Sequence, residues 1–185
     1  MVDSAAANCR IERALGKFAV GGTALMSCVI RAARPGEAAL VLQFVRDLAE
    51  YEKLTHECVA TEAMLDTALF GEKPIISSDF AEWNGEVVGF ALWCLNFSTF
   101  SGKTGLYLED LFVRPAHRGK GIGKALMIHL AKRCVENGWG HFQWAVLDWN
   151  TPSIEFYKSL GAVMLDEWTG VRVSDEALAR LAERP

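Results

Sequence analysis

The spacing of apolar residues changes several times along the chain between helical and extended periods. Apolar side chains recur every third or fourth position in three segments, which predicts helices at residues 35–52, 61–70 and 121–137. Short apolar runs bounded by turn residues predict strands at residues 28–31, 80–83, 86–93, 106–113 and 141–147. The same criteria predict a short helix at residues 154–160, closing strands at 163–165 and 171–173, and a last helix after Ser174.

Three local signals indicate where these elements begin or turn. Asn84-Gly85 separates two strand segments, and this pair suits the type I′ turn of a hairpin. Thr61 is a good N-cap residue for the second helix. Thr151-Pro152 predicts a cap followed by a proline at the first position of the short helix.

The resulting order, β-α-α-β-β-β-α-β-α-β-β, predicts an α/β (α+β) fold. We expect a mixed central sheet of about six to seven strands with helices on both faces. Residues 27–185 are long enough to form one domain with a buried core. Residues 1–26 are rich in Ala and Gly, and we expect them to be a disordered extension or a mis-assigned start.

Composition and charge narrow the classes of function. Of 185 residues, 51% are hydrophobic and 23% are charged, as in an ordinary globular protein. The net charge of -4 argues against nucleic acid as the main partner, and no apolar run approaches the ~20 residues of a membrane span. Five scattered cysteines without a C-x-x-C pair predict reduced thiols in the cytoplasm, and four histidines without ligand spacing predict no metal.

A glycine-rich turn before the third helix is the strongest candidate for a binding site. Its sequence is Arg118-Gly119-Lys120-Gly121-Ile122-Gly123-Lys124. Unpaired N–H groups at a helix start and the helix dipole together favour an anion. The G-x-G-x-G spacing matches neither the ATP-binding P-loop nor the G-x-G-x-x-G loop of dinucleotide-binding proteins. A flexible turn before a surface helix is the alternative interpretation.

Several motifs together resemble one family over residues 28–173. The R-G-x-G-I-G turn after a V-x-P strand end is similar to the pyrophosphate loop of the GNAT superfamily of acyl-CoA N-acyltransferases, and WNTPSIEFYKSLGA (149–162) resembles a block found across it. YLEDLFV (107–113) and LAEYE (48–52) resemble the spermidine/spermine (diamine) N-acetyltransferase branch. Ser98-Thr99 lies in the loop where polyamine-specific members carry an Asp, and it resembles the sister branch that acetylates thialysine.

The resemblance implies the GNAT fold, acetyl-CoA as co-substrate, a small amine as acceptor and a homodimer. It implies that the cofactor contacts Leu111, Phe112, Val113, Arg118, Gly119, Lys120, Gly121, Ile122, Gly123, Lys124, Asn150 and Ser153. It implies that the amine contacts Tyr51, Glu52 and Ser98.

The resemblance also implies catalytic roles for Glu109 and Tyr157, and the chemistry explains these residue types. Deprotonating an ammonium of pKa ~10.4 at pH 7 costs about 4 to 5 kcal/mol, so a carboxylate that holds the cation and accepts its proton through water is needed. A phenol can protonate the departing thiolate. The plainer interpretations are an outward-facing strand charge for Glu109 and a core aromatic for Tyr157.

The sequence therefore predicts an acetyltransferase that transfers the acetyl group of acetyl-CoA to a primary amine of a small molecule. A diamine, a polyamine and a thialysine- or lysine-like amino acid are the candidate acceptors. Direct attack in a ternary complex is expected, because Cys94 and Cys134 have no adjacent base motif for a cysteine relay. Acetylation of a protein amine and a catalytically silent acyl-CoA-binding module are the alternatives.

Overall fold

A computed structural model describes residues 28–185, so the expectation for residues 1–26 lies outside the described residues. The chain divides after Ala145 into two compact units. The described part of the first unit holds five strands and three α-helices, and the second unit holds two α-helices. Among residues 28–185 there is no helix with the length and apolar character needed to cross a membrane.

The five strands form a single sheet in the order β1-β2-β3-β4-β5. Their bounds are Cys28–Ala32 (β1), Ser77–Trp83 (β2), Glu86–Ser98 (β3), Lys103–Val113 (β4) and His141–Trp144 (β5). The helices are Ala38–Glu52 (α1), Glu62–Phe70 (α2), Ile122–Glu136 (α3), Thr151–Ser159 (α4) and Asp175–Ala182 (α5), and two 3₁₀ turns lie at Thr55–Glu57 and Pro115–His117. Neighbouring strands are antiparallel except β4 and β5, which are parallel, so the sheet is mixed as predicted.

Helices α1 and α3 pack on opposite faces of this sheet. The Phe80 ring of β2 lies 6.0 Å from the Phe44 ring of α1. The adjacent Asp79 instead accepts a hydrogen bond from Arg133 of α3 at 3.2 Å. Because successive side chains of a strand point to opposite faces, the prediction of helices on both faces is confirmed.

The core on the α1 face fixes α1 against strands β3 and β4. Its buried members are Val41, Phe44, Leu69, Phe80, Phe90, Leu92 and Phe112. Phe44 and Phe90 stack with ring centroids 5.2 Å apart. Each such side chain contributes about 1.5–3 kcal/mol of transfer free energy, so this core holds α1 against the sheet.

The predicted closing strands at residues 163–165 and 171–173 are wrong. Both segments are irregular, and the part of the chain that the structure describes has a sheet of five strands instead of six to seven. Val163 is 82% exposed and Val171 is 92% exposed. Their apolar composition suggested strands, but a strand also needs a pairing partner and a buried face, and within residues 28–185 these segments have neither. Strand β5 is also shorter than predicted, since it ends at Trp144.

The local signals were predicted with mixed success. Asn84 and Gly85 have φ values of 54° and 86°, as a type I′ turn requires, and the Thr61 hydroxyl accepts the Met64 N–H at 3.3 Å. The predicted Thr151 cap is wrong. Asn150 is the cap, because its backbone is still non-helical and its side-chain oxygen accepts the Ser153 N–H at 3.4 Å.

Candidate active site

Strand β4 loses its parallel neighbour halfway along its length. Strand β5 pairs with β4 only from Gly105 to Leu108, whereas the antiparallel pairing of β4 with β3 continues to Val113. Within residues 28–145, the segment Leu111–Val113 therefore has a β-ladder on one side only. The peptide groups on its other edge are available to a ligand that pairs as a strand does. These are the residues predicted to bind the cofactor through their backbone.

A bulge lies where β4 leaves β5. Leu108 pairs with Trp93 and Asp110 pairs with Leu92, so Glu109 is an extra residue with no partner on β3. A bulge of this kind redirects the side chains beside it and is frequent next to active sites. The Glu109 side chain is exposed, as the solvent-facing end of a proton path requires.

The bulge brings three carboxylates into electrostatic contact. Burial, followed by the negative charges of Glu109 and Glu52, raises the pKa of Asp110 to about 7. Burial also raises the pKa of Glu52, the last residue of α1. Within residues 28–185 no basic side chain forms an ion pair with Asp110. The cluster Glu52–Glu109–Asp110 thus favours a cation, and Asp110 can both hold and release a proton near neutral pH.

The sequence analysis identified Glu52 and Glu109 as site candidates and missed Asp110. The signal was present, because both Glu109 and Asp110 interrupt an otherwise apolar strand. The difference in burial between the two adjacent acids was not visible, since it depends on the bulge and on where α1 ends.

The glycine loop has the backbone geometry of an anion site. Gly119 and Gly121 have φ values of 75° and 80°, and a Cβ at either position would meet nothing within 4 Å. Glycine is therefore favoured at both positions because of the positive φ, and not because a larger side chain would clash. The first helical hydrogen bond of α3 is donated by the Ala125 N–H to the Gly121 carbonyl at 2.9 Å. The N–H groups of the preceding residues, 122–124, lie before the helical ladder.

Arg118 connects this loop to α1 and β4. Its guanidinium carbon lies 4.6 Å from the Tyr51 ring centroid and 5.3 Å from that of Phe112. Its Nε donates to the Val113 carbonyl at 3.0 Å. The structure thus brings predicted amine-site and cofactor-site residues into one contact cluster.

The second unit holds three of the predicted site residues. Tyr157 lies on α4, with its ring centroid 5.2 Å from that of Phe156. Asn150 caps the same helix, and Ser153 donates its backbone N–H to that cap. Asn150 therefore has a structural role in addition to the predicted cofactor contact.

Ser98 is the last residue of β3 and lies beside the first residue of β4, away from the carboxylate cluster. It pairs with Lys103 at the tip of the β3–β4 hairpin. Glu109 is six positions further along β4, or about 20 Å at the rise of an extended strand. Within this unit, Ser98 is not brought beside Glu52 and Glu109. Among residues 28–185 no group of His, Cys, Asp and Glu side chains is arranged to hold a metal ion.

Comparisons with known proteins agree with this architecture. Residues 41–162 match the acetyltransferase (GNAT) family. A thialysine N-epsilon-acetyltransferase of Sus scrofa is 37% identical over 169 residues, which cover 85% of this chain and 99% of the pig protein. An L-ornithine N5-acetyltransferase of Arabidopsis thaliana is 31% identical, over 80% of this chain and 85% of that protein. The solved structure of an integron cassette protein from the mobile metagenome of V. cholerae has a TM-score of 0.73 and 28% identity, covering 86% of this chain and 99% of that one.

The chain therefore belongs to the GNAT acetyltransferase family, and the resemblance inferred from its motifs is confirmed. More narrowly, it is an acetyl-CoA-dependent N-acetyltransferase.

The raised pKa of Asp110 predicts a pH-dependent gain in stability for Asp110→Asn. In the unfolded chain this carboxyl ionises near its ordinary pKa of about 3.9, whereas in the folded state it resists ionisation up to about 7. The ionised side chain therefore costs stability increasingly as pH rises through that window, and Asn removes this cost. We expect the stabilisation of Asp110→Asn over wild type to be larger at pH 8 than at pH 5 by about 2 kcal/mol, measured by urea unfolding. The exposed Asp66→Asn variant is the matched control, and an equal pH dependence in both variants would contradict the assignment.

Proposed function

We propose that this protein transfers the acetyl group of acetyl-CoA to the primary amine of a small cationic molecule. The observation that carries this proposal is the carboxylate cluster Glu52–Glu109–Asp110 beside the unpaired edge of β4. The resemblance implies that acetyl-CoA contacts Leu111–Val113, and a thioester bound at that edge is next to a cation held by the cluster. The amine is thus attracted by the same groups that can remove its proton.

The raised pKa of Asp110 supports a role for the cluster in deprotonating the amine. Moving a proton from an ammonium of pKa ~10.4 to a carboxylate of pKa ~4.3 costs about 8 kcal/mol. Moving it to a carboxylate of pKa about 7 costs roughly 4 to 5 kcal/mol. We propose that the exposed Glu109 accepts the proton through water and that Asp110, adjacent to it, stabilises the proton within the cluster.

The glycine loop and the end of β4 supply the proposed cofactor contacts. The N–H groups at the start of α3 bind the pyrophosphate of acetyl-CoA, assisted by Arg118, Lys120 and Lys124. The peptide groups of Leu111–Val113 pair with the pantetheine arm, and an N–H of this segment polarises the thioester oxygen. Asn150 and Ser153 complete the contacts to the pantetheine, and Tyr157 donates a proton to the thiolate of CoA as it leaves.

Direct attack of the amine on acetyl-CoA in a ternary complex is the proposed mechanism. A covalent acetyl-enzyme would need a cysteine thiolate. Burial and the charge of Glu109 raise the pKa of the Cys94 thiol, and burial raises that of Cys134. Both shifts reduce the fraction of thiolate at neutral pH and so favour direct transfer.

An amino acid with a side-chain amine is the proposed acceptor. Two relatives described above are named for thialysine and for ornithine, which both carry an amine on a side chain. The Asn96–Gly102 segment has no acidic residue to bind a second amine of a long polycation.

A matched set of acceptors tests this function by the rate of acetyl-CoA consumption. Lysine is compared with cadaverine and ornithine with putrescine, since each pair differs only by the α-carboxylate, and thialysine, spermidine and spermine complete the set. We expect kcat/KM to be at least tenfold higher for each amino acid than for its diamine. A preference for spermidine or spermine would overturn the choice of acceptor, and failure to bind acetyl-CoA in isothermal titration calorimetry would overturn the function itself.

Glu109→Gln is expected to move the pH–rate profile of kcat/KM to higher pH. Without the carboxylate, a larger share of the amine must lose its proton to solvent before it attacks. At pH 7 we expect a loss of about 10- to 100-fold. Asp110→Asn is measured in parallel. An unchanged profile for Glu109→Gln together with a shifted one for Asp110→Asn would assign the proton acceptor to Asp110 instead.

Tyr157→Phe is expected to lower kcat by about 100-fold or more while the acetyl-CoA Kd stays within about twofold. Its phenol is needed only when the thiolate leaves, so the loss belongs to the chemical step. Tyr107→Phe removes a phenol of β4 that the mechanism does not use and is the matched control. Wild-type turnover in Tyr157→Phe would exclude the general-acid role.

We further propose a homodimer in the cytoplasm. The second unit exposes several large apolar side chains after α4, namely Val163, Leu165, Trp168, Val171, Leu178 and Leu181. Exposed apolar surface of this extent commonly marks a protein interface. The four cysteines among residues 28–185 are free thiols, as expected in a reducing compartment. Light scattering should give about twice the 20.4 kDa chain mass, and a single-chain mass would contradict the dimer.

A further inference from the structure

The environment of Arg118 gives Tyr51 a function that the sequence did not suggest. The Tyr51 ring of α1 and the Phe112 ring of β4 lie with centroids 6.4 Å apart and planes inclined at 58°. The guanidinium of Arg118 packs over both rings, at 4.6 and 5.3 Å. We refer to Tyr51, Phe112 and Arg118 as the aromatic clamp.

The clamp leaves part of the guanidinium available to a ligand. An Arg side chain has five N–H donors, and here Nε donates to the Val113 carbonyl at 3.0 Å. Within residues 28–185 the two terminal nitrogens have no hydrogen-bond partner or ion pair. A guanidinium held in this way can donate parallel hydrogen bonds to the oxygens of a phosphate group. The contacts also fix the Arg118 rotamer before the ligand arrives.

We propose that Tyr51 is a positioning residue for acetyl-CoA: its ring holds the Arg118 guanidinium in the orientation that binds the pyrophosphate. This inference rests on the proposed function, in which the pyrophosphate binds at the glycine loop. The sequence assigned Tyr51 to the amine. The contacts also connect it, through Arg118, to the glycine loop.

The clamp also links the two substrate sites. Tyr51 is followed directly by Glu52, whose charge reaches Asp110 in the carboxylate cluster. The residue that orients Arg118 is therefore next in sequence to a carboxylate of the proposed amine site.

The test measures the acetyl-CoA Kd by calorimetry with no amine present. Removing the aromatic face in Tyr51→Leu should raise the Kd about 3- to 10-fold, the range of a partly desolvated cation–π contact. Tyr51→Phe retains the ring and should stay within about twofold. S-Acetylpantetheine has no pyrophosphate, so its Kd should not change in either variant. If Tyr51→Leu does not fold, Tyr51→Met provides a second side chain without an aromatic face.

A double-mutant comparison with Arg118→Lys gives the decisive result. A Lys ammonium does not lie flat on a ring and lacks the fork, so Arg118→Lys should weaken acetyl-CoA binding by itself. Tyr51→Leu should then add less than about twofold in that background. Additive losses, an unchanged Kd in Tyr51→Leu, or an equal loss for S-acetylpantetheine would each overturn the proposal. Absence of acetyl-CoA binding to the wild-type protein would instead refute the proposed function.

Discussion

The end of pairing between β4 and β5 at Leu108 is the constraint on which the candidate site depends. A fully paired β4 would have its peptide groups satisfied on both edges and could not accept a ligand there. Because β5 stops at Trp144, the edge of Leu111–Val113 is left without a second ladder. The bulge at Glu109 occurs at the same point and redirects the acidic side chains. One interruption of the sheet therefore supplies both the proposed cofactor edge and the carboxylates.

The buried Asp79 and the half-buried Asp110 show how surroundings decide the chemistry of one residue type. Burial would raise the pKa of Asp79, but His129, Arg133 and Trp93 lower it below its ordinary value. The Trp93 indole donates to Asp79 at 2.7 Å and the Arg133 guanidinium at 3.2 Å. Burial and the like charges of Glu109 and Glu52 act on Asp110, and its pKa rises to about 7. Asp79 is thus a fixed anion that ties α3 to the sheet, whereas Asp110 can exchange a proton.

The accuracy of the sequence predictions follows the range of the interactions involved. The turn at Asn84-Gly85, the Thr61 cap and the extent of α3 depend on neighbouring residues, and they were predicted closely. The segments at 163–165 and 171–173 have strand-like composition, but pairing requires a distant partner that composition cannot specify. Asp110 was missed for the same reason, since its burial depends on the end of α1, more than fifty residues earlier in the chain.

The sequence by itself determined the family, the glycine loop and the acidic pair on β4. These depend on short motifs whose backbone needs, such as positive φ at Gly119 and Gly121, are local. Only the tertiary structure decided the surroundings and contacts of each of these residues. It separated the exposed Glu109 from the half-buried Asp110, and it joined Tyr51 to Arg118 across α1, β4 and the loop. Burial, like-charge proximity and ring packing arise between residues distant in sequence, so they exist only once the sheet and helices have assembled.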